Sequence, residues 1–309
     1  MKLLIKLHKG YGLGDAVQFT IALQHLRKHR PDWSIDYVAE RGRHSAAFGL
    51  CNRVFAYDEF DGSPFDDPLN YGRVITATMY DNASGHSDRP NTRVVDFLQY
   101  KFGIEWDHEC GRYQVNVREP AWAWAKDYFE SIGCHGSNNP NRWRAVAIHT
   151  HGDSAPERKN MTDAQAKRIA DAVISAGRVP IILGSAASRI PPYDPPWGGD
   201  AEHLAALIGS CEAFVGIDSG PGKVTSATAT PSLICWTRHH PVQFHDPAAN
   251  TVHLVPEWHG RVAAAAGCGA AVESGFFERA YRHRTYMDSD HERGLAGLAC
   301  EWLREVLMP

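Results

Sequence analysis

A short apolar run, Leu3-Leu4-Ile5-Lys6-Leu7, opens directly into a glycine turn, Gly10-Tyr11-Gly12-Leu13-Gly14-Asp15, and then into a helix. Phe19, Leu23 and Leu26 recur at helical spacing until Pro31 stops the run, and Ile35-Asp36-Tyr37-Val38-Ala39 reads as a second strand. Strand, loop, helix and strand in so few residues mark a βαβ unit, whose parallel strands need helices on both faces. Weaker strands are expected at 53–57 and 73–77, with a helix around Val94 to Phe102.

The rhythm then restarts. Residues 134–141 are almost all turn formers and supply the best junction. Beyond them the pattern predicts strands at 145–148, 179–184, 213–217 and 232–236. Helices are expected from Asp163 to Ala176 behind a Thr162 cap, over Ala201 to Gly209, from about Gly222 to Ala229, and from about Asp290 to Leu307. A chain of 309 residues exceeds what one core usually organises. The fold class is therefore α/β, with two Rossmann-like parallel-sheet domains facing a cleft, and clefts between domains are where ligands usually sit.

Lys+Arg 32 against Asp+Glu 36 gives a net charge of -4, so nothing electrostatic points to nucleic acid as a partner. Anionic small molecules stay open, because a few local donors suffice for them. Seven scattered cysteines with no CxxC pair argue against a disulfide framework or a structural zinc. No stretch of 18 apolar residues is present, and the first apolar run is broken by Lys6 and followed by His8-Lys9-Gly10. It reads as a strand, not a signal peptide, and the expected compartment is the cytoplasm.

Three segments can carry chemistry. In the first, alternate glycines Gly10, Gly12 and Gly14 allow positive φ and close ligand approach. A dinucleotide fingerprint would need its third glycine where Asp15 stands, and a carboxylate there repels a pyrophosphate. Asp15 is either a helix cap or a general base at the mouth of the cleft. The second segment, Val215-Gly216-Ile217-Asp218-Ser219-Gly220-Pro221-Gly222-Lys223, runs from a buried strand into a helix whose start would hold a diphosphate or be an ordinary cap. The third is His149-Thr150-His151-Gly152-Asp153-Ser154 with Arg158 and Lys159, a strand end that would set cations opposite that helix. His149 and His151 could share a face, but they lack an evident third metal ligand. Asp288-Ser289-Asp290 fits a metal-chelating DxD triad and is better explained as a cap of the last helix.

Taken in order, Gly12-Leu13-Gly14-Asp15, the Lys159 loop, Asp218-Ser219-Gly220-Pro221, and Thr230-Pro231 before Trp236-Thr237 and Pro241 resemble the ADP-heptose:lipopolysaccharide heptosyltransferases of glycosyltransferase family 9. The resemblance implies the GT-B fold: an acceptor-binding domain at 1–140, a nucleotide-sugar domain at 141–285, and a C-terminal helix at 286–309 packing back across the hinge. It implies an inverting, metal-independent transfer of a sugar, heptose for preference, from an ADP-heptose-like donor to a glycolipid or other bacterial glycoconjugate such as lipopolysaccharide core. No separate cofactor is implied, and peripheral contact with the inner membrane is compatible with it.

Asp15 then matches the catalytic base, and Lys159 the donor-phosphate lysine. Asp218, Ser219, Gly220, Gly222 and Lys223 fall where the family holds the diphosphate, while Gly12, Gly14, His149, His151, Arg158 and Arg238 are loop candidates. The family often has His at the place of Lys223 and Trp at that of Met161. The alternatives are a nucleotide-dependent oxidoreductase using Gly10, Gly12 and Glu40, or a catalytically degenerate nucleotide-sugar-binding module.

Overall fold

The computed structural model describes residues 1–78, 92–152, 156–184, 200–288 and 294–308. Among these, four strands form a first parallel sheet: β1 (Lys2–Leu7), β2 (Ser34–Ala39), β3 (Arg53–Ala56) and β4 (Arg73–Ala77), in the order β3-β2-β1-β4. Six more form a second parallel sheet: β5 (Trp143–His149), β6 (Val179–Ile182), β7 (Cys211–Ile217), β8 (Ser232–Cys235), β9 (Thr251–Pro256) and β10 (His283–Tyr286). Their order is β10-β9-β8-β7-β5-β6. The central strands carry near-continuous buried apolar side chains, as a sheet covered on both faces requires.

Strand order reverses between β1 and β4 in the first sheet and between β5 and β7 in the second. Loops at the carboxyl ends of strands flanking such a reversal diverge to opposite faces and leave a crevice. The three segments singled out by sequence follow β1, β5 and β7, so topology alone directs them to the two crevices.

Local signals explain the helices nearby. Thr162 caps Asp163–Ser175, its hydroxyl accepting from the Gln165 N–H at 3.2 Å while the Gln165 side chain accepts from the Thr162 N–H at 2.9 Å. The helix Leu13–His29 carries Arg27, Lys28 and His29 in its last turn, where cations meet the negative end of the dipole. The closing helix, Leu295–Leu307, differs from expectation. Among the described residues its main packing is on Asp163–Ser175 and on β7 and β8 of the second unit, rather than on the hinge. Its apolar face, Leu295, Ala299, Trp302 and Leu303, joins the second sheet's core, and Arg178 ties its end by donating to the Leu307 carbonyl at 3.0 Å.

The two units are joined along their sides. Helix Glu119–Ser131 packs along Ala201–Gly209, with the Trp122 ring so near Gly209 that a Cβ there would lie 2.8 Å away. Arg118 grips Glu202 through Nε and Nη2 at 2.7 and 2.6 Å and through its own N–H at 2.8 Å. Burial pushes the Glu202 carboxyl up, and the Arg118 hydrogen bonds more than reverse this, leaving its pKa lowered. The pair is lopsided: the Glu202 side chain is 2% exposed and that of Arg118 61%. Arg118→Ala strands a buried carboxylate and should cost about 3 kcal/mol or more, whereas Glu202→Ala leaves a cation that reaches water and should cost about 1 kcal/mol. Urea unfolding of the two variants checks the order; equal losses would contradict it.

Candidate active site

The β1, β5 and β7 loops meet in one cleft of about 950 Å³, within the range that takes a cofactor-sized molecule. Its first wall is His8 to Asp15 with Arg43, and its second includes His149, His151, Lys159, Asp218, Ser219 and Lys223.

On the first wall, Gly10 alone of the three turn glycines has positive φ, at 91°. Gly12 is the extended N-cap of Leu13–His29. Asp15, three residues on, returns its carboxylate to accept the Gly12 N–H at 2.9 Å. Capping and cleft lining thus coincide in one side chain. Glu40 accepts the Gly10 N–H at 3.1 Å and pairs with Arg43. That carboxylate is engaged where a dinucleotide ribose would need it, and Asp15 occupies the amide a pyrophosphate would want.

On the second wall a buried carboxylate organises cations. Asp218 is 5% exposed; its Oδ2 lies 2.7 Å from His239 Nδ1 and 3.4 Å from Lys159 Nζ. Burial alone would raise its pKa, but the His239 hydrogen bond and the fields of Lys159 and Lys223 outweigh it and hold the group far below the usual carboxylate range. Asp218 is an ionised template for cations, chemically unsuited to face a phosphate itself. Lys223 is 5% exposed, and its ammonium donates to Gln18 Oε1 of the first unit at 3.2 Å.

Ser219 is the N-cap of Gly220–Ser226 and accepts the Gly222 N–H at 3.3 Å, while the Lys223 N–H is taken by the Ser219 carbonyl at 3.1 Å. Two of the amides expected to meet a diphosphate are therefore engaged inside the cap. The glycines have another use. A Cβ on Gly14 would lie 3.4 Å from the Gly220 backbone, and one on Gly220 would lie 3.2 Å from the Gly14 nitrogen. Here glycine lets the units touch backbone to backbone.

His149 is 5% exposed, with Nδ1 at 3.0 Å from Ser219 Oγ. Burial, and then the field of His151, lower its pKa to about 4, so the ring is neutral at pH 7. His151 turns to other partners, Thr150 Oγ1 at 2.9 Å and Asp163 at 3.3 Å, so the two rings do not act as a ligand pair. Among the described residues, ligand atoms converge as for a metal at Asp200, Glu202 and His203. There Asp200 caps Ala201–Gly209 and Glu202 is held by Arg118, outside the cleft lining.

Of the other candidates, Arg238 is exposed and does not line the cleft; its neighbour His239 turns in to Asp218 instead. The Arg158 side chain, Asp153, Ser154, Ser289 and Asp290 lie outside the described residues. Met161 is buried in the second sheet's core, its N–H on the Thr150 carbonyl at 3.0 Å, and is absent from the cleft lining. Gln18 and His239 were not anticipated. His239 is next to the loop candidate Arg238 in sequence, but which of the two turns inward depends on loop direction.

Solved structures match this fold across most of the chain. A family 9 glycosyltransferase from Veillonella parvula matches with a TM-score of 0.60 at 14% identity, over 90% of this chain and 95% of its own. The chain has the GT-B fold. The E. coli ADP-heptose lipopolysaccharide heptosyltransferase II matches at 0.57 and 16% identity, over 82% of this chain and 90% of its own. E. coli heptosyltransferase WaaC, solved with ADP, matches at 0.56 and 12% identity over 99% of both. Similarity to family 9 heptosyltransferase structures thus runs across most of the GT-B chain. No family model matches the sequence, and no curated protein does. No helix among the described residues is long and apolar enough to cross a membrane.

Proposed function

We propose that this chain is an inverting glycosyltransferase that moves a sugar from a nucleoside-diphosphate donor to an acceptor hydroxyl without a metal. The observation that carries the reading is the opposition, in one cleft, of the Asp15 carboxylate on one unit to the Lys159 and Lys223 ammonium groups on the other. A transfer from a diphosphate leaving group needs those two things: a base for the attacking hydroxyl and positive charge for the departing phosphates. Lys159 and Lys223 supply the charge, with Asp218 holding Lys159 at 3.4 Å. Asp15 takes the hydroxyl proton as oxygen attacks the anomeric carbon, and the donor phosphate leaves from the opposite face.

An ADP-activated heptose is the donor of first choice, because the heptosyltransferases of like fold include one holding ADP and one named for ADP-heptose. A glycoconjugate such as lipopolysaccharide core is the corresponding acceptor, reached in the cytoplasm or at the inner membrane surface. The first wall, with His8, Lys9, Tyr11 and Arg43, is the acceptor side.

A thermal-shift screen of nucleoside diphosphates tests the reading. A donor-like ligand at 100 times its dissociation constant adds about 2.7 kcal/mol of stability. Lys159→Ala should weaken that ligand about tenfold or more, the usual scale of a charge-assisted contact. If no nucleoside diphosphate raises the melting temperature of the wild-type protein, the donor assignment falls.

A further inference from the structure

We propose that Gln18 is the positioning residue for Lys223, so that a cation of the second unit is placed by a side chain of the first. The proposal rests on the reading of Lys223 as a diphosphate cation and adds to it the means by which that cation is held.

The two helices concerned, Leu13–His29 and Gly220–Ser226, pack against each other across the cleft floor. Gly14 and Gln18 stand four residues apart on one of them, and Gly220 and Lys223 three apart on the other, so each pair shares a face. Gly14 meets Gly220 backbone to backbone, and the Lys223 stem lies along Gly14, where a Cβ would come within 3.3 Å of Lys223 Cδ. Its ammonium reaches Gln18 Oε1 at 3.2 Å, 5.5 Å from the centre of the Phe244 ring. Gln18 is 1% exposed and directs its amide toward the Gln243 carbonyl at 3.5 Å. It is absent from the cleft lining, whereas Lys223 is part of it.

The chemistry of the acceptor matters. A buried ammonium loses its water and must recover the interaction from fixed dipoles or counter-charges. An amide carbonyl steadies the cation without adding a counter-charge, so its field acts on an anion entering the cleft. A carboxylate at position 18 would hold the lysine equally well and place a second negative charge, besides that of Asp218, within its reach. Because the amide comes from the opposite unit, the second wall is complete only while the Gly14–Gly220 seam is closed. Gln18 touches no substrate in this arrangement and acts through Lys223.

Two variants separate placement from charge: Gln18→Met, of similar length with no acceptor, and Gln18→Glu, which keeps an acceptor and adds a counter-charge. Lys223 is followed without ligand by acetylation rate and mass spectrometry, and affinity for ADP, inorganic pyrophosphate and adenosine by calorimetry. In Gln18→Met, Lys223 should acetylate several-fold faster, and ADP and pyrophosphate should bind about tenfold more weakly with adenosine unchanged, the scale of one charge-assisted contact. In Gln18→Glu, Lys223 should stay protected while ADP and pyrophosphate weaken by a similar factor. Unchanged Lys223 protection in Gln18→Met, or unchanged ADP and pyrophosphate affinity in both variants, overturns the proposal. If wild-type protein binds neither ADP nor pyrophosphate, the ligand reading has failed, and the acetylation rates alone still decide whether Gln18 places Lys223. Should Gln18→Met not fold, loss of Lys223 protection in Gln18→Glu would equally refute the placement.

Discussion

Asp15→Asn should abolish sugar transfer, lowering the rate by about 10² to 10⁴, while leaving donor affinity within about twofold. The choice of asparagine follows from the geometry. Asp15 accepts the Gly12 N–H at 2.9 Å as the third residue of its helix, and the asparagine carbonyl can make the same bond. What asparagine cannot do is accept a proton. Asp15→Ala loses both functions and should add a stability cost of about 1 kcal/mol from the missing cap. A base therefore shows as two equally inactive variants of unequal stability. If Asp15→Asn transfers at the wild-type rate, the residue is a cap and nothing more. Donor affinity is measured on the same preparations by calorimetry, which keeps a lost donor site from passing as lost chemistry.

Acid should unfold the protein near pH 5, well above the pH at which most carboxylates protonate. The cause is a set of histidines buried in neutral form. Burial, then the fields of His259 and His283, lower His240 to about 3, and burial, then His151, lowers His149 to about 4. His253 falls well below its ordinary value through burial and then the nearby His245, His240 and His283. Local bonding agrees with this: the Trp236 indole donates to His253 Nδ1 at 3.0 Å, so a proton added there would set two donors against each other.

The sign follows from where the protons go. In the unfolded chain these rings titrate near 6.5, so below that pH the unfolded state binds protons the folded state refuses, and stability falls as pH falls. By pH 5 His149 and His240 each cost about 2 kcal/mol, and His253 adds to the loss in the same direction, together a large share of the 5–15 kcal/mol of a typical domain. Urea midpoints followed by tryptophan fluorescence should be flat above pH 7 and drop steeply from pH 6.5 to 5. A level profile over that interval would refute the assignment of neutral buried rings.

How much of this was legible in the sequence depends on what each residue's neighbours are. Strands β1, β5 and β7 were readable as continuous apolar runs, and because they flank the reversals in strand order, Asp15, His149, Lys159, Asp218, Ser219 and Lys223 arrive in one cleft. The strand at Thr251–Pro256 was not anticipated, although all six residues are buried, since His253 interrupts the apolar signal with a polar type. Contacts between the units were the least visible. Gln18, Asp200 and Glu202 look like solvent-facing helix residues when their own helix is considered alone. Only the other unit supplies Lys223, Ser45 and Arg118 as their partners. The glycines were read for closeness to a ligand, and Gly14 and Gly220 serve closeness of a different kind.

That contact sets the aperture of the cleft. With hydrogen atoms where side chains would be, Gly14 and Gly220 form the stop at which the two walls of the cleft meet. A methyl group at Gly220 would lie 3.0 Å from Leu13 Cβ and 3.2 Å from the Gly14 nitrogen, a shim that pushes the walls apart near their root by a few tenths of an ångström. The width between Asp15 and the lysines is thereby written in part by a side chain that is not there.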